Sequence, residues 1–179
     1  FTSEEEISIS DNGRGIPIDF HPKFPDKTAL EVIFCTLHAG GKFSDKNYLT
    51  SGGLHGVGIS VVNALSEKLT VEVVKNRVCY SQSFSKGIPL GKLLKLGEKR
   101  IKSGTKITFS PDKAIFSGNK LFNPEKIYEL AKSKAYLFSG VTIDWKAPNI
   151  GENNLNKIPT SERFHFENGL MDLVRSNTA

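Results

Sequence analysis

The sequence predicts an α/β fold, because segments with the two-residue period of strands alternate with segments that have the period of helices. The stretch Glu6 to Ser10 alternates polar and apolar residues and then runs into the turn-forming Asp11-Asn12-Gly13. After Asp26, apolar residues instead recur three and four positions apart. With 179 residues and 38% hydrophobic content, the chain is long enough for one well-buried core.

The first half of the chain is predicted to hold this strand and two helices. Asp26 is the expected N-cap of the first helix, and Gly40-Gly41 is expected to end it. The predicted apolar face of this helix consists of Leu30, Ile33, Phe34 and Leu37. A glycine-rich polar stretch follows up to Gly53 and opens into a second helix, from Val57 to Leu65, whose first turn is almost pure glycine.

The second half is predicted to contain a hairpin, two further strands, a helix and a short last strand and helix. The hairpin turns around Lys75-Asn76, and a Gly- and Lys-rich loop follows it. Asn123-Pro124 is a strong helix start, because proline suits the first helical position. The predicted bounds are strands Leu69–Val74, Val78–Phe84, Thr105–Phe109 and Val141–Trp145, a helix with Ile127, Leu130 and Ala131 on one face that ends near Ser139-Gly140, and a mixed pattern from Arg163 to Val174.

Composition limits the classes of function. Cys35 and Cys79 lack metal-ligand spacing, so neither a zinc site nor a disulfide framework is expected, and a cytoplasmic protein fits. No apolar run approaches the length of a membrane span, and no leader precedes the first strand, so no membrane partner is expected. Because the strand pattern begins almost at Phe1, the chain is expected to be a piece of a longer protein.

The formal charge of +5 is compatible with a nucleic-acid partner, since lysine and arginine release counterions from phosphate. The relevant basic residues are Lys86, Lys92, Lys95, Lys99, Arg100 and Lys102. They are scattered without interleaved aromatic residues. A solvated loop is therefore the simpler interpretation, and a DNA-contacting patch is the alternative.

Three glycine-containing segments are candidates for chemistry: 11–15, 51–58 and 103–105. An Asp-Asn-Gly turn taken alone is most often only a turn. Next to the other segments it indicates an adenine pocket, because a carboxylate at a strand end accepts a hydrogen bond from an exocyclic amine. Neighbouring glycines let a flat ring approach the backbone.

Gly53, Gly56 and Gly58 open the second helix, where unpaired backbone N–H groups suit an anion such as a triphosphate. The segment is not a Walker A loop, because no Lys-Ser or Lys-Thr follows the last glycine, and it is a poor dinucleotide fingerprint. A glycine-rich structural turn is the alternative to phosphate binding.

The three boxes 11–17 (DNGRGIP), 38–43 (HAGGKF) and 52–58 (GGLHGVG), with 60–66 (SVVNALS) after them, resemble the nucleotide-binding boxes of bacterial type II DNA topoisomerase B subunits. The resemblance extends from about residue 5 to 145, and residues 42–48 and 131–141 are more similar to topoisomerase IV than to gyrase. It implies a Bergerat-type GHKL ATPase fold, an α+β two-layer sandwich in which helices cover one face of a mixed, largely antiparallel sheet.

The resemblance also implies an ATP-binding set. Asp11 matches the aspartate that bonds the adenine amine, helped by a water near Gly13 and by the hydroxyl of Thr105. Ile16, Pro17 and Ile33 match apolar walls of the pocket, and Arg14 an arginine at its mouth. The other matching positions are Gly15 beside the ring, Lys42 at phosphate, Tyr48 in a lid expected between Gly40 and Gly53, and the backbone cradle Gly53, Leu54, His55, Gly56, Val57 and Gly58.

The family's general-base glutamate and its Mg²⁺-ligating asparagine lie on a helix that precedes the strand ending at Asp11, so both are expected upstream of this chain. Glu4, Glu5 and Glu6 are not substitutes, because they adjoin the strand without an asparagine at helical spacing. No catalytic or metal-binding residue is therefore expected within the chain. The full-length protein is expected to hydrolyse ATP with Mg²⁺ as an isomerase.

That protein is expected to act on DNA as a homodimer of B subunits within a heterotetramer with the DNA-cleaving A subunit. Alternatives are a gyrase B subunit, another GHKL protein, or a nucleotide-binding module without turnover. His55 and His38 are interpreted as a lid or structural residue and a helix-end residue, and an inhibitor contact at Lys75 is in doubt because gyrases commonly have arginine there. The expected organisation is an ATPase domain over 1–146, a flexible loop over 147–161 and, over 162–179, the start of a segment that leads to the next domain.

Overall fold

A computed structural model of the chain describes residues 1–38, 56–117, 122–147 and 158–178. It divides into two compact units. The larger unit is Glu6–Ser117, and the smaller unit combines Phe1–Glu5 with Gly118–Ala179. The assignment of 1–146 to one ATPase domain stays a prediction, and the division between compact units falls earlier than its predicted end.

The larger unit is built on one antiparallel sheet of six strands. Its strands are β1 (Ile7–Asp11), β4 (Ser66–Lys75), β5 (Val78–Ser85), β6 (Ile88–Pro89), β7 (Leu94–Glu98) and β8 (Gly104–Pro111). Their order in the sheet is β1-β8-β4-β5-β6, and β7 also pairs with β5. A separate two-stranded sheet pairs β2 (Phe20–His21) with β3 (Phe24–Thr28). The predicted α/β fold and its largely antiparallel sheet are confirmed.

Two helices, α1 (Ala29–Cys35) and α2 (Gly58–Ala64), supply the other side of the core. Leu69, Val71 and Val73 alternate along β4 and are fully buried in one cluster with Leu30 and Phe34 of α1. The Phe34 ring stacks on Phe84 of β5 at a centroid distance of 5.3 Å. Burying these side chains contributes about 1.5–3 kcal/mol each, so this cluster holds α1 against the sheet.

The start and end predicted for α1 were wrong. Its N-cap is Thr28, whose Oγ1 accepts a hydrogen bond from Glu31 N at 3.2 Å, whereas Asp26 lies within β3. The helix ends at Cys35, because Thr36 takes extended backbone angles of −124° and 130°. Of the predicted apolar face, Leu30 and Phe34 are buried, whereas Leu37 is 59% exposed, and the buried Val32 was missed. The position of the cap depends on where β3 ends.

The β4–β5 hairpin is confirmed with a shifted turn. Lys75 pairs with Val78, so the two loop residues are Asn76 and Arg77, with φ of 49° and 69°. Both positive values are those of a type I′ turn, which matches the twist of the strands. The sequence interpretation missed the short strands β2, β3 and β6, and it missed β7 as well. β7 exposes Leu94 and Leu96 and shows no alternation of burial.

The smaller unit contains α3 (Pro124–Leu137), α4 (Leu170–Thr178) and the antiparallel pair β9 (Thr142–Lys146) and β10 (Ser161–His165). Asn123 caps α3 as predicted, and its Oδ1 accepts a hydrogen bond from Lys126 N at 3.1 Å. The buried face of α3 contains Tyr128, Ala135 and Tyr136, whereas the predicted Leu130 is 57% exposed. Most of the loop predicted over 147–161 lies outside the described residues.

An aromatic cluster forms the core of the smaller unit. The Tyr128 ring meets Trp145 and Phe164 edge-on at 5.5 and 5.3 Å, and Phe1 meets Trp145 at 5.7 Å. The Tyr128 hydroxyl donates to the Glu162 carboxylate, and this bond together with burial raises the pKa of Tyr128 to about 12. Across the described parts of the chain, no helix has the length and apolar character needed to span a bilayer.

Candidate functional site

The site is organised by a row of paired residues at the end of the sheet. Asp11, the last residue of β1, pairs with Thr105 of β8, which in turn pairs with Val73 of β4. Residues at alternate positions of a strand face the same side, so this row shares the face that carries Val71 and the helices. Asp11 and Thr105 therefore point toward the helical layer.

The turn after β1 holds the Asp11 carboxylate in place. Its Oδ1 accepts a hydrogen bond from Gly13 N at 2.8 Å, in the manner of an Asx turn. Further along the chain, Ile16 N donates to Thr105 Oγ1 at 3.3 Å. Asp11 stays exposed, and its Oδ2 accepts no hydrogen bond from the part of the chain that the structure describes. With respect to the described residues, one carboxylate oxygen of Asp11 and the Thr105 hydroxyl proton are thus available to a ligand.

Gly15 and Gly104 let three chain segments meet closely beside this row. A Cβ on Gly104 would collide with the backbone oxygen of Asp11. A Cβ on Gly15 would lie 2.9 Å from Val74 O, and its φ of 76° is one that side chains rarely adopt. Gly104 was not among the predicted site residues, although it adjoins Thr105 in a glycine-containing segment singled out from the sequence.

Apolar residues border the site on the helix side. Ile16 and Ile33 pack against the main core as partly buried side chains. Pro17 and Arg14 are exposed in the segment after the turn. The structure thus places the predicted pocket-wall residues Ile16 and Ile33 on the same core as the Asp11 face.

The predicted phosphate cradle is described only in part. Gly56 has φ of 62°, Val57 is the N-cap of α2, and Gly58 is its first residue. Five predicted site residues lie outside the described residues: Lys42, Tyr48, Gly53, Leu54 and His55. The geometry of the cradle therefore stays a prediction.

Asn63 connects the two helices, a positioning role that the sequence interpretation missed. It is fully buried, and its Nδ2 donates to Phe34 O at the end of α1 at 3.0 Å. Its backbone carbonyl accepts a hydrogen bond from Gly87 N at 3.1 Å. An amide side chain within a mainly apolar helix was the signal in the sequence, because a buried amide is usually hydrogen-bonded.

The C-terminal end of α2 is held by a second polar group. Asp112, only 6% exposed, forms an ion pair with Lys86 Nζ at 2.9 Å and accepts a hydrogen bond from Ala114 N at 3.0 Å. Its backbone N–H donates to Leu65 O, and Lys86 N donates to Ser66 O. The hydrogen bond from Lys86, with that from Ala114, holds the pKa of Asp112 below its usual range.

A cavity of about 320 Å³ adjoins the end of the sheet. It shares Asp11, Gly104 and Thr105 with the site, and the other lining residues are Ser10, Glu72, Val74, Lys99, Ile101 and Lys106. Ser10, Lys106 and Glu72 pair across β1, β8 and β4 in the row next to Asp11, so they face away from the helices. These three residues of the cavity therefore lie on the face of the sheet opposite the helices.

The residues of the larger unit match the model of a known protein family. Residues 2–115 match the model of the histidine kinase-, DNA gyrase B- and HSP90-like ATPases, which covers well over half of the chain. The chain belongs to this ATPase family. Its match ends close to Ser117, where the larger unit ends.

Among curated members of the ATPase family, the chain is similar to the B subunits of DNA topoisomerase 4. It is 52% identical over 172 residues to the B subunit of this enzyme from Bartonella bacilliformis, covering 96% of this chain and 25% of that protein. It is 56% identical over 174 residues to the corresponding protein of Rickettsia felis, covering 97% of this chain and 26% of that protein. The chain thus spans about a quarter of the length of these relatives.

A solved ATPase structure shows the same fold. The 43K ATPase domain of Thermus thermophilus gyrase B, in complex with an aminocoumarin, matches with a TM-score of 0.79 and 33% sequence identity. The match covers 98% of this chain and 41% of that chain. It confirms the predicted GHKL-type fold.

Proposed function

We propose that this chain is the ATP-binding part of the ATPase domain of a type II DNA topoisomerase, and that its parent protein is a B subunit of the topoisomerase IV kind. The observation that carries the proposal is the row of Asp11 and Thr105 at the end of the sheet, with Gly15 and Gly104 packed against it. Membership of an ATPase family and the names of the relatives support it.

Adenine recognition follows from the hydrogen-bonding chemistry of this row. The free oxygen of Asp11 accepts a hydrogen bond from the exocyclic amine of adenine. The Thr105 oxygen already accepts a hydrogen bond from Ile16 N, so its hydroxyl proton is donated to a ring nitrogen. Gly13 and Gly15 keep side chains away from the plane of the ring. Ile16, Pro17 and Ile33 supply apolar contact, and Arg14 lies at the mouth.

The triphosphate is assigned to the segment before α2, with Lys42 and the backbone of Gly53, Leu54, His55, Gly56, Val57 and Gly58 as its partners and Tyr48 in the lid. This assignment rests on the family resemblance. Across 1–38, 56–117, 122–147 and 158–178, no cluster of acidic, histidine or cysteine side chains suits a metal ion. The described residues do not fit Mg²⁺, and we derive no step through it.

In the full-length protein, ATP binding is proposed to close a dimeric clamp on DNA, and hydrolysis to reopen it. The proposal includes strand passage, decatenation and relaxation of supercoils. It also includes the homodimer, the heterotetramer with the A subunit and a cytoplasmic location. Gyrase B is the second candidate, favoured by the gyrase B structural match. Supercoiling and decatenation assays of the parent protein assembled with its A subunit would decide between them. Gyrase introduces negative supercoils, whereas topoisomerase IV decatenates.

Calorimetry with non-hydrolysable ATP and GTP analogues tests the proposed site. The Asp11 carboxylate can accept a hydrogen bond from the amine of adenine. Guanine has a carbonyl oxygen at the same place, and two acceptors cannot form a hydrogen bond with each other. A buried mispairing of this kind costs about 1–3 kcal/mol, so ATP is expected to bind roughly 5- to 150-fold more tightly than GTP. Equal affinities for the two nucleotides would overturn the adenine assignment.

A further inference from the structure

The segment from residue 75 to residue 106 is strongly basic. It contains nine lysine or arginine residues and one acidic residue, Glu98, a local excess of eight positive charges. The whole chain carries a net charge of only +5, so the remainder is net acidic. The segment includes β5, β6 and β7, and thus forms one side edge of the main sheet.

Two backbone hydrogen bonds gather part of this charge at one end of the edge. Arg77 N, in the β4–β5 turn, donates to Lys102 O at 2.9 Å, and Lys99 N donates to Arg77 O at 2.7 Å. The hairpin turn and the loop after β7 are therefore joined. Arg77, Arg100 and Lys102 are exposed at this junction, and we name these three residues the basic junction.

Carboxylates neutralise four of the other six lysines of the segment but not the basic junction. Lys75 pairs with Asp19 and Lys86 with Asp112. Glu72 lies 3.6 Å from Lys99 and 3.9 Å from Lys106, so a single carboxylate is shared by two ammonium groups. Among the described residues, Arg77, Arg100 and Lys102 have no acidic partner within salt-bridge distance.

Protection of a sheet edge does not account for this arrangement. Lysines on an edge strand prevent it from pairing with another chain, and Lys95 within β7 serves that purpose. The basic junction lies instead in a turn and a loop, where no strand edge needs protection. Main-chain bonds join the two segments that carry these charges. Like charges on neighbouring segments repel one another, and a bound anion would offset that repulsion.

We propose that the basic junction binds the phosphodiester backbone of duplex DNA. The proposal takes its partner class from the proposed function, since a DNA topoisomerase must hold DNA, but it concerns three side chains that are not among the residues assigned to adenine. A polyanion fits better than a single phosphate, because three exposed cations on joined loops offer several independent phosphate contacts. Binding of this kind is independent of base sequence and sensitive to salt.

The test is fluorescence anisotropy of a short labelled duplex across a series of salt concentrations. For the triple variant R77Q/R100Q/K102Q, we expect the slope of log K against log salt to become shallower by roughly 2 to 3, because each phosphate contact contributes about 0.9. The matched control K23Q/K126Q/K134Q makes the same change in net charge with exposed lysines elsewhere and is expected to keep the slope. An unchanged slope in the triple variant, or an equal change in the control, would overturn the proposal.

Circular dichroism tests whether the variants are folded. If the triple variant unfolds, R100Q alone replaces it, and the slope is then expected to change by about 1. Calorimetry with the ATP analogue separates the two proposals. Nucleotide binding without DNA binding contradicts the basic junction and leaves the proposed function standing. DNA binding that depends on the junction, without nucleotide binding, contradicts the proposed function and supports the junction.

Discussion

At the scale of single residues, Asp11 depends on backbone geometry for its role. Gly13 N occupies one carboxylate oxygen, which fixes the rotation of the side chain and leaves Oδ2 for a donor. Thr105 is held next to it by strand pairing and by Ile16 N. The proposed selectivity for a ring with an amine therefore rests on a few atoms whose positions the fold determines.

Asp11→Asn is expected to weaken binding of the ATP analogue by about 1–3 kcal/mol, because an amide can present N–H groups where the carboxylate offered only acceptors. Calorimetry is the measurement, and the preference for ATP over GTP is expected to shrink in parallel. Asp26→Asn makes the same chemical change on the exposed strand β3 and serves as the control. Unchanged ATP affinity in Asp11→Asn would remove Asp11 from the site.

Gly58→Val is expected to abolish binding of the triphosphate while the melting temperature stays close to that of the parent chain. A Cβ at Gly58 meets no atom of the described residues within 4 Å, so the fold accepts a side chain there, whereas a bound phosphate would not. Gly91→Val, at a position with equally open surroundings, is the matched control. A collapse of the melting temperature in Gly58→Val but not in Gly91→Val would make Gly58 a structural glycine.

At the scale of elements, two sets of polar interactions fix the position of α2. Asn63 joins it to the end of α1, and the Lys86–Asp112 pair joins the residues after it to the β5–β6 turn and the end of β8. The helix that follows the glycine-rich segment is thus tied to the sheet by directional bonds. A shift of α2 would move Val57 and Gly58 relative to Asp11.

Asp112→Asn is expected to lower the free energy of unfolding at neutral pH, and the difference from the parent chain is expected to shrink under acid conditions. The folded-state pKa of Asp112 lies below its unfolded value of about 3.9. The stabilisation is therefore present above pH of about 4 and is lost as pH falls through the folded-state value. Urea titrations across this range measure it.

Lys86→Gln provides the control for that pH dependence. If Lys86 is the main cause of the lowered pKa, Asp112→Asn costs less in the Lys86→Gln background than in the parent chain. An equal cost in both backgrounds, or a difference that persists unchanged below the unfolded pKa, would contradict the ion-pair explanation.

At the scale of the whole molecule, the 179-residue chain is expected to bind ATP weakly and to hydrolyse it negligibly. Water attack on the terminal phosphate needs a positioned base and stabilisation of the developing charge, and the family resemblance assigns both to residues outside this sequence. Single-turnover hydrolysis by this chain, compared with a version extended upstream, measures it. Similar rates would show that a residue within the chain is the base.

Local chemistry made much of the fold predictable from the sequence. Asn123-Pro124 predicted the start of α3, and the alternation around 69–84 predicted the central hairpin, because caps and strand periods depend on neighbouring residues. The edge strand β7 escaped prediction because exposed Leu94 and Leu96 leave no pattern of burial. The cap of α1 was misplaced because β3 takes up Asp26.

The sequence by itself determined that this chain has the glycine boxes of an ATPase family. It also predicted which residue types would recognise adenine. Only the tertiary structure decided that Asp11 lies opposite Thr105, that Asn63 ties α1 to α2, and that Arg77 is joined to Lys102. The physical reason is that hydrogen bonds between distant segments depend on strand register and helix position. Those are set by the packing of the whole core, and no local window of sequence contains them.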